Sequence, residues 1–126
     1  GTYGKGATCA FLRAMAEAAG LSAHEYTSPQ LVRCNDRIRL AGKLVEDDAL
    51  IKWLNRVHTA LEGRPLTRFE ATTATAILAF SEIPADLLIL EVGLGGRFDA
   101  TYVLDTPALS VITPVDFHYK RVFAAM

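Results

Sequence analysis

The run ADLLILEVG (residues 85–93) decides the class of fold. Residues 87–90 are all branched aliphatics with no polar alternation. That is the pattern of a strand buried on both faces of a parallel sheet. ALSVITPV (residues 108–115) has the same character and is predicted to be a second such strand. The segments before them read differently. In ATCAFLRAMAEAAG (7–20), Phe11, Ala14, Met15 and Ala18 recur at helical spacing, and Gly20 is placed to end the helix. DDALIKWLNRVHTALEG (47–63) carries Leu50, Ile51, Leu54, Val57 and Leu61 on one helical face, with Asp47 or Asp48 as cap. TRFEATTATAILAFSE (67–82) is a further helix starting near Thr67, unusually rich in threonine. LSAHEY (21–26) is a short strand, polar for a buried position, and DRIRLAGKLVED (36–47) is a strand and turn. TSPQLV (27–32) is a loop, because Pro29 biases Ser28 away from helix.

Helices alternating with apolar strands predict an α/β fold: a P-loop-type, mostly parallel sheet flanked by helices and joined by right-handed crossovers. Ligands of such sheets sit at the carboxyl ends of the strands. The loops after Tyr26, Glu91 and Val115 are therefore expected on one rim, together with the glycine run at residues 1–6. No strand precedes Gly1 and nothing after KRVFAAM (120–126) completes a βαβ unit. The sheet is thus expected to be incomplete at both ends, and the chain to be part of a larger protein.

With 126 residues, the chain has enough length for a single core. A formal charge of −1 and a pI near 6.3 give no electrostatic reason for a nucleic-acid partner. No apolar run reaches the roughly 18 residues of a membrane span, and no basic segment followed by an apolar stretch marks a signal peptide. Cys9 and Cys34 are isolated, which fits a reduced, cytoplasmic protein better than a disulfide. Partners are accordingly expected among small molecules, with neither nucleic acid nor membrane.

The opening GTYGKGATCAFL (1–12) has the composition of a phosphate cradle. Gly1, Gly4 and Gly6 let backbone N–H groups turn inward, the helix that follows adds its positive end, and Lys5 supplies charge. Ala7 stands where such loops carry a hydroxyl, and Thr8 is one residue late. Glu91 ends an apolar strand, where a nucleotide-bound metal is often held, and a strand-terminal acid in solvent is the alternative. His24, His58 and His118 share no ligand spacing. Trp53, Phe69, Phe80 and Phe98 are most simply core, with a ring-stacking role open to Phe69 and Phe98 because they lie near loops. Arg33, Arg37 and Arg39 alternate as a solvated strand face, a binding patch being the alternative.

Four collinear motifs resemble the folylpolyglutamate synthase/dihydrofolate synthase family, within the Mur ligase superfamily of ATP-dependent amide-bond ligases. GTYGKGATCAFL is similar to its GTNGKGS(T) loop, and YTSPQLVRCNDRIRL (26–40) to its TSPHL…ERI loop. FEATTATAILAF (69–80) resembles its FE-headed helix, and EVGLGGRFDATYV (91–103) its EVGLGGRxDATNV segment. The resemblance implies a partial ATP-binding central domain over residues 1–126, without the C-terminal glutamate-binding domain. In the family, ATP phosphorylates a pteroate or folate carboxylate and the amine of glutamate attacks the acyl phosphate. Dihydropteroate or tetrahydrofolate and glutamate would then be the small-molecule substrates, with ATP and Mg2+ as cofactors. Carried over by motif, Thr2, Tyr3, Gly4, Lys5 and Gly6 fall on ATP, with Lys5 and Glu91 as the catalytic pair. Ser28 and Glu91 fall on the magnesium, with Tyr119 or His118 at the third ligand position. Thr67, Arg68, Phe69, Glu70, Phe98 and Asp99 fall where the family holds the pterin.

The departures cluster at these sites. The family has Asn where Tyr3 and Tyr102 stand, a hydroxyl at Ala7, His at Gln30, and an Asp-His pair where His118 and Tyr119 stand. A second reading therefore stays open, that of a non-catalytic remnant or nucleotide-binding module with a degraded magnesium site. A third, a peptidoglycan-type Mur ligase, is disfavoured by the FE-headed helix and GRFDAT (96–101). The isolated chain is expected to lack ligase turnover.

Overall fold

A computed structural model describes residues 1–30 and 32–116. Helix α1 spans Lys5–Ala18 and leads through Gly20 (φ +80°) into strand β1, Ala23–Tyr26. A 3₁₀ turn at Cys34–Arg37 precedes the hairpin of β2 (Ile38–Leu40) and β3 (Lys43–Leu44). Ala41 and Gly42 form the hairpin turn with φ of 48° and 86°, the left-handed pair that a two-residue hairpin demands. Helices α2 (Asp47–Ala60) and α3 (Arg68–Glu82) follow, then β4, Leu87–Leu90.

The strand order is β3-β2-β1-β4, with β1 and β4 parallel and the other two pairings antiparallel. The α/β class expected from the sequence holds, and the sheet is mixed because the 38–44 hairpin adds two antiparallel strands beside one parallel pair. ALSVITPV forms no strand: Leu109, Val111, Ile112 and Val115 are exposed, and the backbone bond recorded for the run is Thr2 N–H to the Pro114 carbonyl at 2.8 Å. An apolar run becomes a strand only when a neighbour supplies a ladder, and none of the described residues does. The run 87–90 is likewise not buried throughout. Among the described residues β4 is the edge of the sheet, and Ile89 is buried while Leu87 stays exposed.

Period-2 alternation sorts the sheet into two faces. Ala23 and Ile89 pack with Cys9, Leu12 and Ala16 of α1. Tyr26, Leu88 and Leu90 pack on the opposite side with Ile38, Val45, Ala76 and Phe80, backed by Leu50 and Trp53 of α2. α1 therefore buries Cys9, Leu12 and Ala16, not the predicted Phe11 and Met15, which remain exposed. In α2, Leu50, Trp53 and Val57 turn inward while Ile51 and Leu54 face out, and the N-cap is Glu46, with Asp47 and Asp48 inside the first turn.

β1 is fully buried although two of its four residues are polar. His24 lies flat against Phe80 (4.9 Å between centroids) and accepts from Ala41 N–H at Nδ1 (3.0 Å). That leaves Nε2–H to donate to the Ile83 carbonyl at 2.8 Å. Glu25, on the α1 face, accepts from Arg13 Nε at 2.9 Å and lies 3.4 Å from Arg39 Nε. A buried carboxylate is tolerable on those terms.

α3 begins as its sequence predicts. Thr67 is the N-cap: its hydroxyl accepts from Glu70 N–H at 3.2 Å, and Glu70 Oε2 accepts in return from Thr67 N–H at 2.7 Å. Such a reciprocal box satisfies two donors that the helix itself cannot. Thr67→Ala is expected to lower unfolding stability by about 1–2 kcal/mol in urea titration, with Thr67→Ser retaining most of it.

Candidate functional site

Alternation along β4 aims Glu91 at α1. Ile89 already faces that helix, so the residue two further on does too. An added Cβ on Gly6 would sit 3.5 Å from Glu91 Oε2, which puts the carboxylate beside the first turn of α1. Gly4, the N-cap, reaches φ +82°, and nothing would obstruct a Cβ there, so the demand is conformational. The first-turn N–H groups of α1 have no intrahelical acceptors by position. Lys5 Nζ donates to the Gly1 carbonyl at 3.1 Å, and Thr8 Oγ1 donates to the Gly4 carbonyl at 2.9 Å. The Thr8 hydroxyl is thus turned back into the helix. Tyr3 is exposed at the loop's tip.

The third loop of the rim also arrives. Ser28 N–H donates to Glu91 Oε2 at 2.9 Å, while Ser28 Oγ is buried without a partner. The Ser28–Pro29 bond is cis. Glu91 is only 4% exposed, and among the described residues no cation lies within ion-pair distance of it. A hard cation takes oxygen ligands, and an orphaned hydroxyl beside an unneutralised buried carboxylate fits one. Among the described residues no cluster of three His, Cys, Asp or Glu side chains could hold a metal, so the remaining positions would fall to phosphate oxygens and water. His118 and Tyr119, the expected third position, lie outside the described residues. Thr2 closes the rim against the chain's later part: its Oγ1 accepts from Asp116 N–H at 2.8 Å.

Burial and the nearby carboxylates of Glu91 and Glu25 push the Cys9 thiol up to about 11. A thiol held neutral stabilises the fold below its ordinary value of 9.0, and that contribution is lost as pH rises through 11. Iodoacetamide at pH 7.5 is expected to label Cys9 far more slowly in the native state than in urea, and stability should fall between pH 9 and 11 in wild type but less in Cys9→Ala.

A second group gathers around the loop that follows β4. Thr67, Phe69, Glu70, Leu94, Phe98 and Asp99 line a cleft of about 250 Å³. Five of the six pterin positions expected from the resemblance thus meet. The sixth, Arg68, turns its Nη2 to Gln30 Oε1 (3.3 Å) and Cys34 Sγ (3.4 Å) and does not line the cleft. Asp99 is committed to its own loop: Oδ2 accepts from Leu94 N–H at 2.8 Å, and Oδ1 from Thr101 N–H and Oγ1 at 3.0 and 2.6 Å. Phe98 is 72% exposed and lines the cleft, so of its two expected places, core or a ring open to stacking near a loop, it is not in the core. The capping hydrogen bonds hold the Glu70 carboxyl below its usual range, so it serves as an acceptor. A larger cavity of about 520 Å³ lies at the opposite end of β1 and β4. Its polar groups are already engaged, Asp86 with Ser22 and His24 with Ile83 and Ala41, so it presents no converging free donors.

The arginines correct a sequence expectation. Arg33 pairs with Asp47 and Arg39 with Glu25, while Arg37 lies over the Phe69 ring, 5.5 Å from its centroid. They are not one solvated face, because the 3₁₀ turn at 34–37 rotates Arg37 out of the alternation that begins at Ile38. Sequence reasoning also missed Gly93. A Cβ there would fall 2.7 Å from Phe69 Cζ and 3.0 Å from Asp99 Oδ2, so only glycine lets this backbone pass the cleft wall. A glycine directly after an apolar strand and an acid was the available signal.

A glycine-capped helix, an acid at the end of a parallel strand and a proline loop meet on one rim of an α/β fold of the kind found in Mur-type ligases. No protein-family model matches the chain. It is 38% identical, over 97% of its length, to the dihydrofolate synthase/folylpolyglutamate synthase of Bacillus subtilis, of which it covers 30%. Escherichia coli FolC in complex with DHPP and ADP superposes with a TM-score of 0.79 at 40% identity, over 82% of this chain and 25% of that one. The Yersinia pestis bifunctional folylpolyglutamate synthase/dihydrofolate synthase complexed with AMPPNP and Mn ion gives 0.79 at 39%, over 83% and 26%. Over nearly its whole length the chain is similar to part of the dihydrofolate synthase/folylpolyglutamate synthases. It spans under a third of the length of the curated relatives it matches.

Proposed function

We propose that the chain is the nucleotide- and pterin-binding part of an ATP-dependent ligase that adds L-glutamate to a dihydropteroate or folate carboxylate, activated as an acyl phosphate. On this reading residues 1–126 are part of the ATP-binding central domain, and the glutamate-binding domain lies elsewhere in the parent protein. The observation that carries it is the pairing of the buried Glu91 carboxylate with the orphaned Ser28 hydroxyl beside the first turn of α1. The α1 amides and Lys5 would bind the phosphates, positioning them for in-line transfer. Ser28 and Glu91 would hold Mg2+, which when bound supplies charge neutralisation at those phosphates. Phe69 and Phe98 would flank the flat pterin, with Thr67 and Glu70 at one edge and Asp99 holding the loop that carries Phe98.

The competing reading, a remnant with a degraded metal site, draws on Tyr3 and Ala7 in the cradle and on Gln30, pinned by Arg68. Calorimetric titration of the chain with ATP, with and without Mg2+, separates the two. Magnesium-dependent binding is expected. If binding appears only after Tyr3→Asn and Tyr119→His are introduced, the remnant reading holds. No ligase turnover is expected from the isolated chain, and an ATP- and glutamate-dependent amide product from it would refute that.

A further inference from the structure

Arg37 is out of place for a cation. Arg13, Arg33, Arg39 and Arg56 each have a carboxylate within ion-pair distance. Of the others among the described residues, Arg64, Arg68 and Arg97 are exposed, so water solvates them. Arg37 has neither remedy. It is partly buried, has no carboxylate partner among the described residues, and its Nη1 is buried without a hydrogen-bond acceptor. Leaving a charged donor unpaired in a desolvated place is costly. Its near neighbours offset this only in part. Phe69 offers only its ring face, and both Asp99 oxygens are occupied within their own loop. The Tyr26 hydroxyl accepts from the guanidinium and meets Thr73 Oγ1 at 2.9 Å, but it is neutral and leaves Nη1 unpaired.

The position is informative. Arg37 and Ser28 stand at the two ends of one loop, which Thr27 N–H closes on the Arg37 carbonyl at 2.9 Å. Two buried polar atoms of that loop lack partners, Ser28 Oγ beside Glu91 and Arg37 Nη1 beside Phe69. One belongs to the candidate metal pair, and the other adjoins a wall of the candidate pterin cleft. A ligand carrying an anion would supply the acceptor that Arg37 Nη1 lacks, and a flat ring on the same molecule would suit the Phe69 side of the cleft.

Resting on the ligase reading above, we infer that Arg37 is a positioning residue for the acid substrate, its Nη1–H donating to the substrate carboxylate. A guanidinium suits this because it stacks on Phe69 while its edge donors address the anion. ATP is the other anion at hand, so the experiment has arms for both. In the full 126-residue chain, binding of dihydropteroate, of a pterin carrying no carboxylate, and of ATP with Mg2+ is measured for wild type, Arg37→Gln and Arg37→Lys.

Arg37→Gln is expected to weaken dihydropteroate by about 10- to 100-fold, the effect of one charge-assisted hydrogen bond. The carboxylate-free pterin and ATP should bind as in wild type, and Arg37→Lys should fall between. The melting temperature of Arg37→Gln should be unchanged or higher, since an unpaired charge is removed; a purely structural role would lower it. Equal losses for dihydropteroate and the carboxylate-free pterin, a loss confined to ATP, or unchanged dihydropteroate binding would each overturn the inference while leaving the ligase reading intact. Wild type that binds neither pterin sinks both.

Discussion

Replacing Glu91 with Gln should abolish magnesium-dependent ATP binding, weakening it by about 100-fold or more, while leaving the unliganded protein at least as stable. The two halves come from one observation. Glu91 is 4% exposed, accepts one hydrogen bond from Ser28 N–H, and has no cation in reach among the described residues. A buried anion without a counter-charge is held at a cost that a neutral amide of the same shape avoids, and the amide oxygen still accepts from Ser28. What the amide cannot do is supply the negative ligand a hard cation requires. The measurements are calorimetry with ATP in magnesium and in chelator, and thermal unfolding in chelator alone. If Glu91→Gln binds magnesium-ATP like wild type, the carboxylate is no ligand. If it instead melts well below wild type without ligand, the carboxylate is a structural acceptor. Either result moves the metal site away from β4.

The rim was legible in the sequence because it rests on residues whose conformations are dictated locally. Gly4 at positive φ, the Thr67–Glu70 box and Glu91 two residues after Ile89 each follow from short-range geometry. Burial was less legible where it depends on which neighbours exist. Phe11 and Met15 have the spacing of a core face, yet Cys9, Leu12 and Ala16 take that place because β1 and β4 approach from their side. ALSVITPV has strand composition and no strand, since composition cannot provide a ladder partner. Arg37 was hidden for a related reason. Its alternation with Arg33 and Arg39 is real in sequence, but a 3₁₀ turn interposes and changes which way it faces. Polar β1 shows the converse. His24 and Glu25 looked unsuited to burial, and partners 12 to 59 residues away satisfy them.

Gly93→Ala should damage the cleft without touching the metal pair. The new methyl would sit 2.7 Å from Phe69 Cζ and 3.0 Å from Asp99 Oδ2, both inside contact distance. Gly93 is not among the positive-φ glycines, so alanine brings no backbone strain and the effect is steric. Phe69 cannot simply retreat: Tyr26 stands 6.3 Å away ring to ring, with Arg37 over its face. Asp99 cannot retreat either without releasing Leu94 N–H and Thr101. Overpacking of this kind typically costs about 1–3 kcal/mol, read here in urea unfolding. Displacing Phe69 or the 94–99 loop should also weaken dihydropteroate by about 10-fold or more, since a recognition geometry 1 Å out of place commonly loses that much. ATP affinity in magnesium should hold, because Gly6, Ser28 and Glu91 lie outside the collision. Phe69→Leu in the same chain removes the ring tip that the methyl strikes, so the double variant should recover stability relative to Gly93→Ala alone, a coupling a cycle would measure. It should not recover pterin binding, because the stacking face is gone. Additive losses in the cycle would mean the methyl strikes Asp99 first, and the loop at 94–101, not the ring, would then be what fixes the width of the cleft.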